Sequence, residues 1–184
     1  MRGPASLALL LALAAPAVAK SPPPTAASLE QRLQRAEDEL AIRRILVDYH
    51  WNMDNRDFTA YAALFAQNGE WTSGNQHHRG PADIRQMMIG IFGKDAEGSA
   101  NRRSIEITTN PQIEIAGDRA TAHSRHLLIW RGDDGRPTPM LAGRYEDELV
   151  REGGQWRILR RTDYPVMPNL EEWGQIMRQR NSVK

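Results

Sequence analysis

The spacing of apolar residues changes once along this chain, and that change constrains the fold more than any other feature. Up to Phe92, apolar side chains recur every three to five residues, which is typical of amphipathic helices. From Ser104 onward they alternate in four segments, separated by turns at Gly117-Asp118, residues 133–136 and Gly153-Gly154. Helices followed by an antiparallel meander predict an α+β fold, with a curled sheet covered by helices on one face.

Three helices are predicted before the strands. Ser28 and Gln31 form a capping-box start for a first helix of about 25 residues. Its expected inner stripe comprises Leu29, Leu33, Ala36, Leu40, Ile45 and Tyr49. Asp57 can cap a second helix whose inner face holds Phe58, Tyr61, Leu64 and Phe65, and a turn is predicted at Asn68-Gly69. Gly80-Pro81 opens a third helix, with an inner face of Ile84, Met87, Met88, Ile91 and Phe92.

The strands are predicted over residues 104–115, 119–130, 139–151 and 155–164. A last helix over residues 168–180 carries a stripe of Leu170, Trp173, Ile176 and Met177. Such a stripe must cover something, and we expect either the mouth of the cavity or a partner subunit.

The first residues are predicted to be a targeting segment. Arg2 precedes a short apolar run at residues 7–13, and Ala17-Val18-Ala19 is a small-residue cleavage site. We therefore expect a signal peptide over residues 1–19, a proline-rich tether over 20–28, the folded domain over 29–165 and a C-terminal helix or tail over 166–184. Export is expected, with the periplasm as the destination.

Composition excludes several function classes. The chain has no cysteine, which rules out thiol catalysis and thiolate metal sites. Its 24 basic and 23 acidic residues give no electrostatic basis for binding nucleic acid or an anionic membrane. His77-His78, in a predicted polar loop over residues 74–80, has no matching ligand set, so neither a metal nor a cofactor is expected.

Asp54 is the first candidate for chemistry, because it lies where the first helix is predicted to break. A carboxylate within an apolar fold has its pKa raised by desolvation, toward values useful for proton transfer. Tyr49 is a candidate proton donor. The two differ by about 140° around a regular helix, so both can face a cavity only if residues 52–54 unwind. The alternative is that Asp54 only caps the helix.

The strands supply further candidates through their alternation. His126 shares a face with Ala120, Ala122, Ser124, Leu128 and Trp130, whereas His123 faces the other way. That face is expected to be concave, which places His126 inside, either as a catalytic group or as a hydrogen-bonded core histidine. Glu106 is expected on a cavity wall, with a solvated carboxylate as the alternative.

Arg161 is the candidate cation. On the last strand, Leu159, Arg161 and Asp163 are expected on one face, and Trp156, Ile158 and Arg160 on the other. Arg161 can neutralise Asp54 or Glu106, hold a substrate anion, or form an ion pair that only supports the fold. Asp147 is a candidate internal partner for an arginine.

Several motifs together resemble a known family. They are Tyr49-x4-Asp54-x2-Asp57, Leu64-Phe65 with Gly69-x-Trp71, Thr109-Asn110-Pro111, Gly143-Arg-Tyr145-x-Asp147 and Gly154-x-Trp156. The chain resembles the SnoaL-like family of the nuclear-transport-factor-two-like superfamily. The resemblance implies a cone-shaped α+β barrel, in which a curved antiparallel sheet and N-terminal helices surround one apolar pocket. It also implies the activity of a cofactor-independent lyase or isomerase, although other members of the family only bind a molecule and do not convert it.

The resemblance assigns some site residues and fails at one. In scytalone dehydratase, bile-acid dehydratase and lindane dehydrochlorinase, an aspartate that matches Asp54 works with a histidine on the following strand. Tyr49 matches the tyrosine of the bile-acid enzyme, and Arg161 matches the arginine of the dehydrochlorinase. The histidine position holds Glu106 here, and a second aspartate of the bile-acid enzyme falls on Leu128. Either His126 replaces that histidine, or Glu106 is itself the base, or this chemistry is lost.

The sequence therefore predicts a lyase or isomerase that eliminates water, halide or a small aldehyde from a small apolar aromatic or cyclic molecule. Asp54 or Glu106 removes a proton, Tyr49 or His126 assists the leaving group, and Arg161 stabilises negative charge. The expected pocket walls are Phe65, Trp71, Ser124, Leu128, Trp130 and Tyr145. The alternatives are a non-catalytic periplasmic binding protein or an assembly module, and a homodimer or homotrimer is expected.

Overall fold

The computed structural model describes residues 27–93 and 96–182. The predicted signal peptide and nearly all of the tether lie outside the described residues. The elements are α1 (Leu29–Asp54), α2 (Phe58–Ala62), β1 (Phe65–Ser73), β2 (Gln76–Arg79), α3 (Gly80–Phe92), β3 (Ser104–Ala116), β4 (Arg119–Arg131), β5 (Pro137–Glu152), β6 (Gln155–Met167) and α4 (Leu170–Ser182). In this part of the chain, no helix is long and apolar enough to cross a membrane.

The strands form one curved, six-stranded sheet in the order β2-β1-β6-β5-β4-β3. The four-strand meander β3–β6 is antiparallel as predicted, and β1 joins β6 in parallel. Helices α1 and α3 pack against the sheet, on β3 and β1 respectively. The predicted α+β fold is confirmed, although the sheet is curved without closing into a full barrel.

The inner face of α1 differs from the predicted stripe. Its capping box is present as predicted, with the Ser28 side chain accepting from the Gln31 backbone. However, residues 29–37 are all exposed, so Leu29, Leu33 and Ala36 are not buried, and Leu40 is 67% exposed. The buried face starts only at Asp38 and continues through Ile42, Ile45, Leu46, Tyr49 and His50. The reason is geometric: a step of two residues, from Leu40 to Ile42, turns about 200° around a helix.

The region between α2 and α3 also departs from expectation. Asn68-Gly69 lies inside β1, at an irregularity in its pairing with β6, and is not a turn. A side chain at Gly69 would lie 2.8 Å from the Ile158 carbonyl oxygen, so the close approach of the two strands requires glycine. The predicted polar loop over residues 74–80 forms β2, which pairs with β1. In α3, Ile91 is 57% exposed and therefore not on the inner face.

A bulge in β6 changes its predicted alternation. Glu148 pairs with Arg160 and Leu149 with Ile158, so Leu159 is an extra residue in the ladder. As a result Trp156, Ile158 and Arg161 are all buried, although strict alternation puts Arg161 on the opposite face. In β4 the predicted alternation is confirmed, with His126 buried and His123 exposed.

The last helix, α4, covers one end of the fold. Trp173 meets Trp130 of β4 edge to face, with ring centroids 5.8 Å apart. Met177 lines a cavity of about 420 Å³ together with Arg56, Phe92 and Trp130. Of the two expected roles for its apolar stripe, covering the mouth of the cavity is therefore the one that these contacts support.

Candidate active site

Glu106 is the centre of a buried polar cluster on the concave face of the sheet. It projects from β3 between side chains of three other elements. Tyr145 of β5 donates its hydroxyl to Glu106 Oε1 at 3.1 Å, and His126 Nδ1 of β4 lies 2.9 Å from the same oxygen. His50 of α1 approaches it with Nε2 at 3.9 Å. Burial raises the pKa of the Glu106 carboxyl, but these partners more than offset that effect and lower it overall, so Glu106 is ionised.

His126 lies between two carboxylates. Its Nε2 is hydrogen-bonded to Asp163 Oδ1 at 3.1 Å, opposite the Glu106 contact, which is close but not aligned as a hydrogen bond. Its ring also stacks on Tyr145, with centroids 4.2 Å apart. Burial disfavours the charged imidazolium, yet Asp163 and Glu106 outweigh it and raise the pKa of His126 to about 9. At neutral pH the His126 ring is therefore an imidazolium, protonated on both nitrogens, between the carboxyl groups of Glu106 and Asp163.

The chain leaves room for this ring at Gly143. Gly143 pairs with His126 across β4 and β5. A Cβ atom there would clash with His126 Nε2 and would lie 2.8 Å from the Tyr164 carbonyl oxygen. Gly143, which the sequence analysis noted only as part of a family motif, is thus required by the position of the histidine.

His50 is a site residue that the sequence analysis missed. It is 4% exposed, its Nδ1 lies 3.2 Å from Thr108 Oγ1, and burial lowers its pKa to about 4, so it is neutral. Its Nε2 has no hydrogen-bond partner among the described residues. The available signal was its spacing of four residues from Asp54, which places both on one face of a regular helix.

Asp54 remains on a regular helix, because α1 continues to this residue and Asn55 N–H still donates to the Trp51 carbonyl. Its Oδ2 accepts from the Glu106 backbone N–H at 3.2 Å. Burial is the largest cause that raises the pKa of Asp54 to about 6, and the charge of Glu106 adds to it. The side chain is only partly buried, so Asp54 is an ionisable group beside the Glu106 cluster that remains accessible.

Tyr49 and Arg161 have partners other than Glu106 and Asp54. Tyr49 is 3% exposed, its hydroxyl accepts from Trp71 Nε1 at 3.0 Å, and burial raises its pKa to about 12. The Arg161 guanidinium is fully buried, donates to both Asp147 oxygens at 2.7 and 2.8 Å, and stacks over Tyr49. The helix does not unwind, so Tyr49 and Asp54 point in different directions. Arg161 is held by Asp147 and pairs with neither Asp54 nor Glu106.

The expected wall residues are distributed between core and cavity. Phe65 and Trp71 lie in the hydrophobic core with Tyr49, and Tyr145 is buried against the Glu106 cluster. Ser124 and Leu128 flank His126 on the concave face of β4. Trp130 lines the cavity of about 420 Å³ near α4. The interior around Glu106 is therefore polar and closely packed. The open volume is the cavity near α4.

The described residues contain no group of three His, Cys, Asp or Glu side chains that could hold a metal ion. His77 and His78 instead contact separate acids, Glu70 and Asp83. The arrangement around Glu106 can store and transfer protons through Asp54 and His126.

Comparison with known proteins identifies the family. The profile of the SnoaL-like domain matches residues 34–162. No curated protein matches the chain significantly. A solved nuclear-transport-factor-two-like protein with a cystatin-like fold from Novosphingobium aromaticivorans is similar, with 22% identity, a TM-score of 0.67, and coverage of 75% of this chain and 88% of the other.

Two further similar structures carry names of enzymes. One is a candidate scytalone dehydratase from Novosphingobium aromaticivorans, at 26% identity and TM-score 0.60, covering 73% of this chain and 88% of the other. The other is a hexachlorocyclohexane dehydrochlorinase from Novosphingobium barchaimii, at 19% identity and TM-score 0.60, covering 73% and 90%. The resemblance noted in the sequence is confirmed: the chain belongs to the SnoaL-like domain family.

Proposed function

We propose that this protein is a cofactor-independent lyase or isomerase that acts on a small aromatic or cyclic molecule by acid–base catalysis. The observation that carries the proposal is the position of Asp54: its carboxylate stays partly accessible at the end of α1 while it accepts from the Glu106 backbone N–H at 3.2 Å, and burial raises its pKa to about 6. A base of this kind is mostly ionised at pH 7, and its conjugate acid is strong enough to return the proton.

In the proposed reaction Asp54 removes a proton from a carbon atom of the substrate. For elimination, the electron pair of the broken C–H bond forms the new C=C bond as the bond to the leaving group breaks. A hydroxyl leaving group takes up a proton and departs as water, whereas a halide departs as the anion. For isomerisation, protonated Asp54 returns the proton to a different carbon.

The Glu106 cluster supports this chemistry electrostatically. Burial raises the pKa of Asp54, the hydrogen bond from the Glu106 backbone N–H opposes that rise, and the charge of the Glu106 carboxylate adds to it. The His126 imidazolium helps to keep Glu106 ionised. In this proposal a hydroxyl leaving group takes its proton from His126, whose Nδ1 lies 2.9 Å from Glu106 Oε1. Tyr49 and Arg161, which were candidates from the sequence, have no direct part in this proposal.

The test is turnover by mass spectrometry. Protein starting at Lys20 is incubated with β-hydroxy, β-halo and hydroxymethyl aromatic and cyclic compounds, and the products are examined for neutral loss or isomerisation. We expect activity whose kcat/KM rises with pH through about 6, as Asp54 ionises, and Asp54→Asn to abolish it. His123→Gln, on the outer face of the sheet, is the control that retains activity. Full activity of Asp54→Asn would refute the proposal.

The same panel distinguishes the main alternative. A non-catalytic binding protein retains a compound without converting it, and its affinity does not depend on Asp54 as a base. The expected homodimer or homotrimer and the expected export stay predictions.

A further inference from the structure

A buried arginine, Arg56, faces the cavity beside the candidate site. It follows α1 directly and is 6% exposed. Its guanidinium lies 3.7 Å from the centre of the Phe92 ring and donates to the Met53 carbonyl oxygen at 3.1 Å. Among the described residues, no carboxylate lies within ion-pair distance of it, in contrast to Arg161, which Asp147 neutralises completely. Arg56 is thus a largely buried cation without a bound counter-charge.

The backbone holds Arg56 in an unfavourable conformation. Its φ is +57°, in the left-handed region where glycine is usual after a helix and other residues are strained. The segment is fixed by Asp57 N–H on the Asn52 carbonyl at 2.8 Å and by Gly98 N–H on the Arg56 carbonyl at 3.0 Å. Such strain recurs at functional sites, and an arginine here costs stability that a glycine would not.

The cavity around Arg56 is suited to an organic anion. Its volume is about 420 Å³, and among the described residues its lining includes two more arginines, Arg102 and Arg103, and no acidic side chain. Phe92 and Trp130 contribute flat apolar surface to the same lining. A fork of guanidinium donors matches a carboxylate, and aromatic walls match a ring.

The cavity also adjoins the proposed base. Arg56 is two residues after Asp54, and Ser104, which lines the cavity, is two residues before Glu106 on the same face of β3. Two residues along a strand span about 7 Å, which is the length of a six-membered ring with one substituent. A ring compound that is anchored at Arg56 therefore has the length needed to reach the neighbourhood of Asp54 and Glu106.

We propose that Arg56 is the substrate-anchoring residue of this site, and that the substrate class is cyclic or aromatic carboxylates. That a carboxylate binds here is inferred from the cavity alone. That the bound carboxylate is a substrate rests on the proposed function. This inference replaces Arg161 by Arg56 as the residue that holds an anion. It also narrows the substrate class expected from the sequence, a small apolar aromatic or cyclic molecule, to apolar rings that carry a single carboxylate.

The test is calorimetric binding of three probes of similar shape: benzoate, the neutral benzamide and phenyl phosphate. We expect benzoate to bind at least tenfold more tightly than benzamide. Arg56→Gly should lower benzoate affinity at least tenfold, leave benzamide unchanged, and melt no lower than wild type, because glycine relieves the strained φ. Arg56→Lys should retain part of the affinity, and Arg44→Gln, which changes an exposed arginine paired with Asp48 on α1, should retain all of it.

Three outcomes would overturn the inference: equal affinity for benzoate and benzamide, benzoate binding unaffected by Arg56→Gly, or tighter binding of phenyl phosphate. Repeating the titration with Asp54→Asn separates the two proposals. This variant removes a neighbouring negative charge, so it should bind benzoate at least as tightly as wild type while lacking turnover. If carboxylates bind through Arg56 but no compound is converted, the proposed function fails and this inference stands. If only neutral compounds are converted, the proposed function stands and this inference fails.

Discussion

Replacing His126 by glutamine should make the protein less stable in a way that depends on pH. The side chain is 3% exposed between Glu106 and Asp163, which raise its pKa from 6.5 to about 9. A pKa that is higher in the folded state than in the unfolded state stabilises the fold. The contribution is fully present below pH 6.5 and is lost as pH rises through about 9. This rise corresponds to roughly 3 kcal/mol of free energy of unfolding.

The magnitude has an upper limit. Without the imidazolium, Glu106 and Asp163 are left as two neighbouring carboxylates, and their mutual repulsion favours protonation of one of them, which recovers part of the loss at the lower pH. The difference between wild type and His126→Gln should therefore be roughly 2–3 kcal/mol larger at pH 6.5 than at pH 9.5. Tyrosine ionisation in the unfolded state at high pH affects both proteins equally and cancels in this comparison.

The assay is urea unfolding at both pH values, followed by circular dichroism. His123→Gln is the matched control, because it removes a histidine from the same strand on the exposed face. It should show no pH-dependent loss relative to wild type. If His126→Gln loses the same free energy of unfolding at pH 6.5 and pH 9.5, the conclusion that His126 is an imidazolium between two carboxylates is wrong, however large that loss is.

Three further predictions concern stability. Asp54→Asn should raise the free energy of unfolding at pH 8 by roughly 1 kcal/mol, allowing for its partial exposure. The gain should disappear by pH 4, because burial raises the pKa of this carboxyl to about 6 and its ionised form lowers stability only at higher pH. If urea unfolding at pH 8 shows no gain in the free energy of unfolding, this prediction is wrong. Arg161→Met should cost about 3–5 kcal/mol by leaving Asp147 buried and unpaired, and the further change Asp147→Leu should restore most of it in the same assay. Gly143→Ala should lower the melting temperature, because overpacking against His126 costs roughly 2 kcal/mol. Gly90→Ala is the control, because no atom lies near the added carbon, and it should not lower the melting temperature. Equal melting temperatures for the two variants would show that the His126 ring can move aside.

Much of the fold could be predicted because it depends on local patterns. Strand alternation correctly separated His126 from His123, and the capping box located the start of α1. The errors occurred where contacts distant in sequence override a local pattern. Gly69 looked like part of a turn, but it allows β1 to approach β6 closely. The bulge at Leu159 puts Trp156 and Ile158 in the buried interior together with Arg161, whereas strict alternation separates them.

The candidate site was predictable as a set of residue types and not as a set of pairings. Asp54, Glu106 and His126 could be named from the sequence, because helix ends and strand faces are local properties. Which charge neutralises which was decided by the tertiary structure: Asp147 holds Arg161, Asp163 and Glu106 hold His126, and Asp54 contacts a backbone N–H. Charge pairing depends on distances of 3–4 Å between side chains from different elements, and periodicity along a chain carries no information about such distances.

The sequence by itself determined the α+β class, the family and the faces on which chemistry can occur. The tertiary structure alone decided that His50 joins the cluster and that Arg56, behind a strained backbone, faces the cavity. The physical reason is that burial and the electrostatic environment are properties of packed neighbours. A carboxylate, an imidazole and a guanidinium have the same chemistry at every position in a sequence. Packing raises the pKa of Asp54, makes His126 a cation and leaves Arg56 without an ion pair among the described residues.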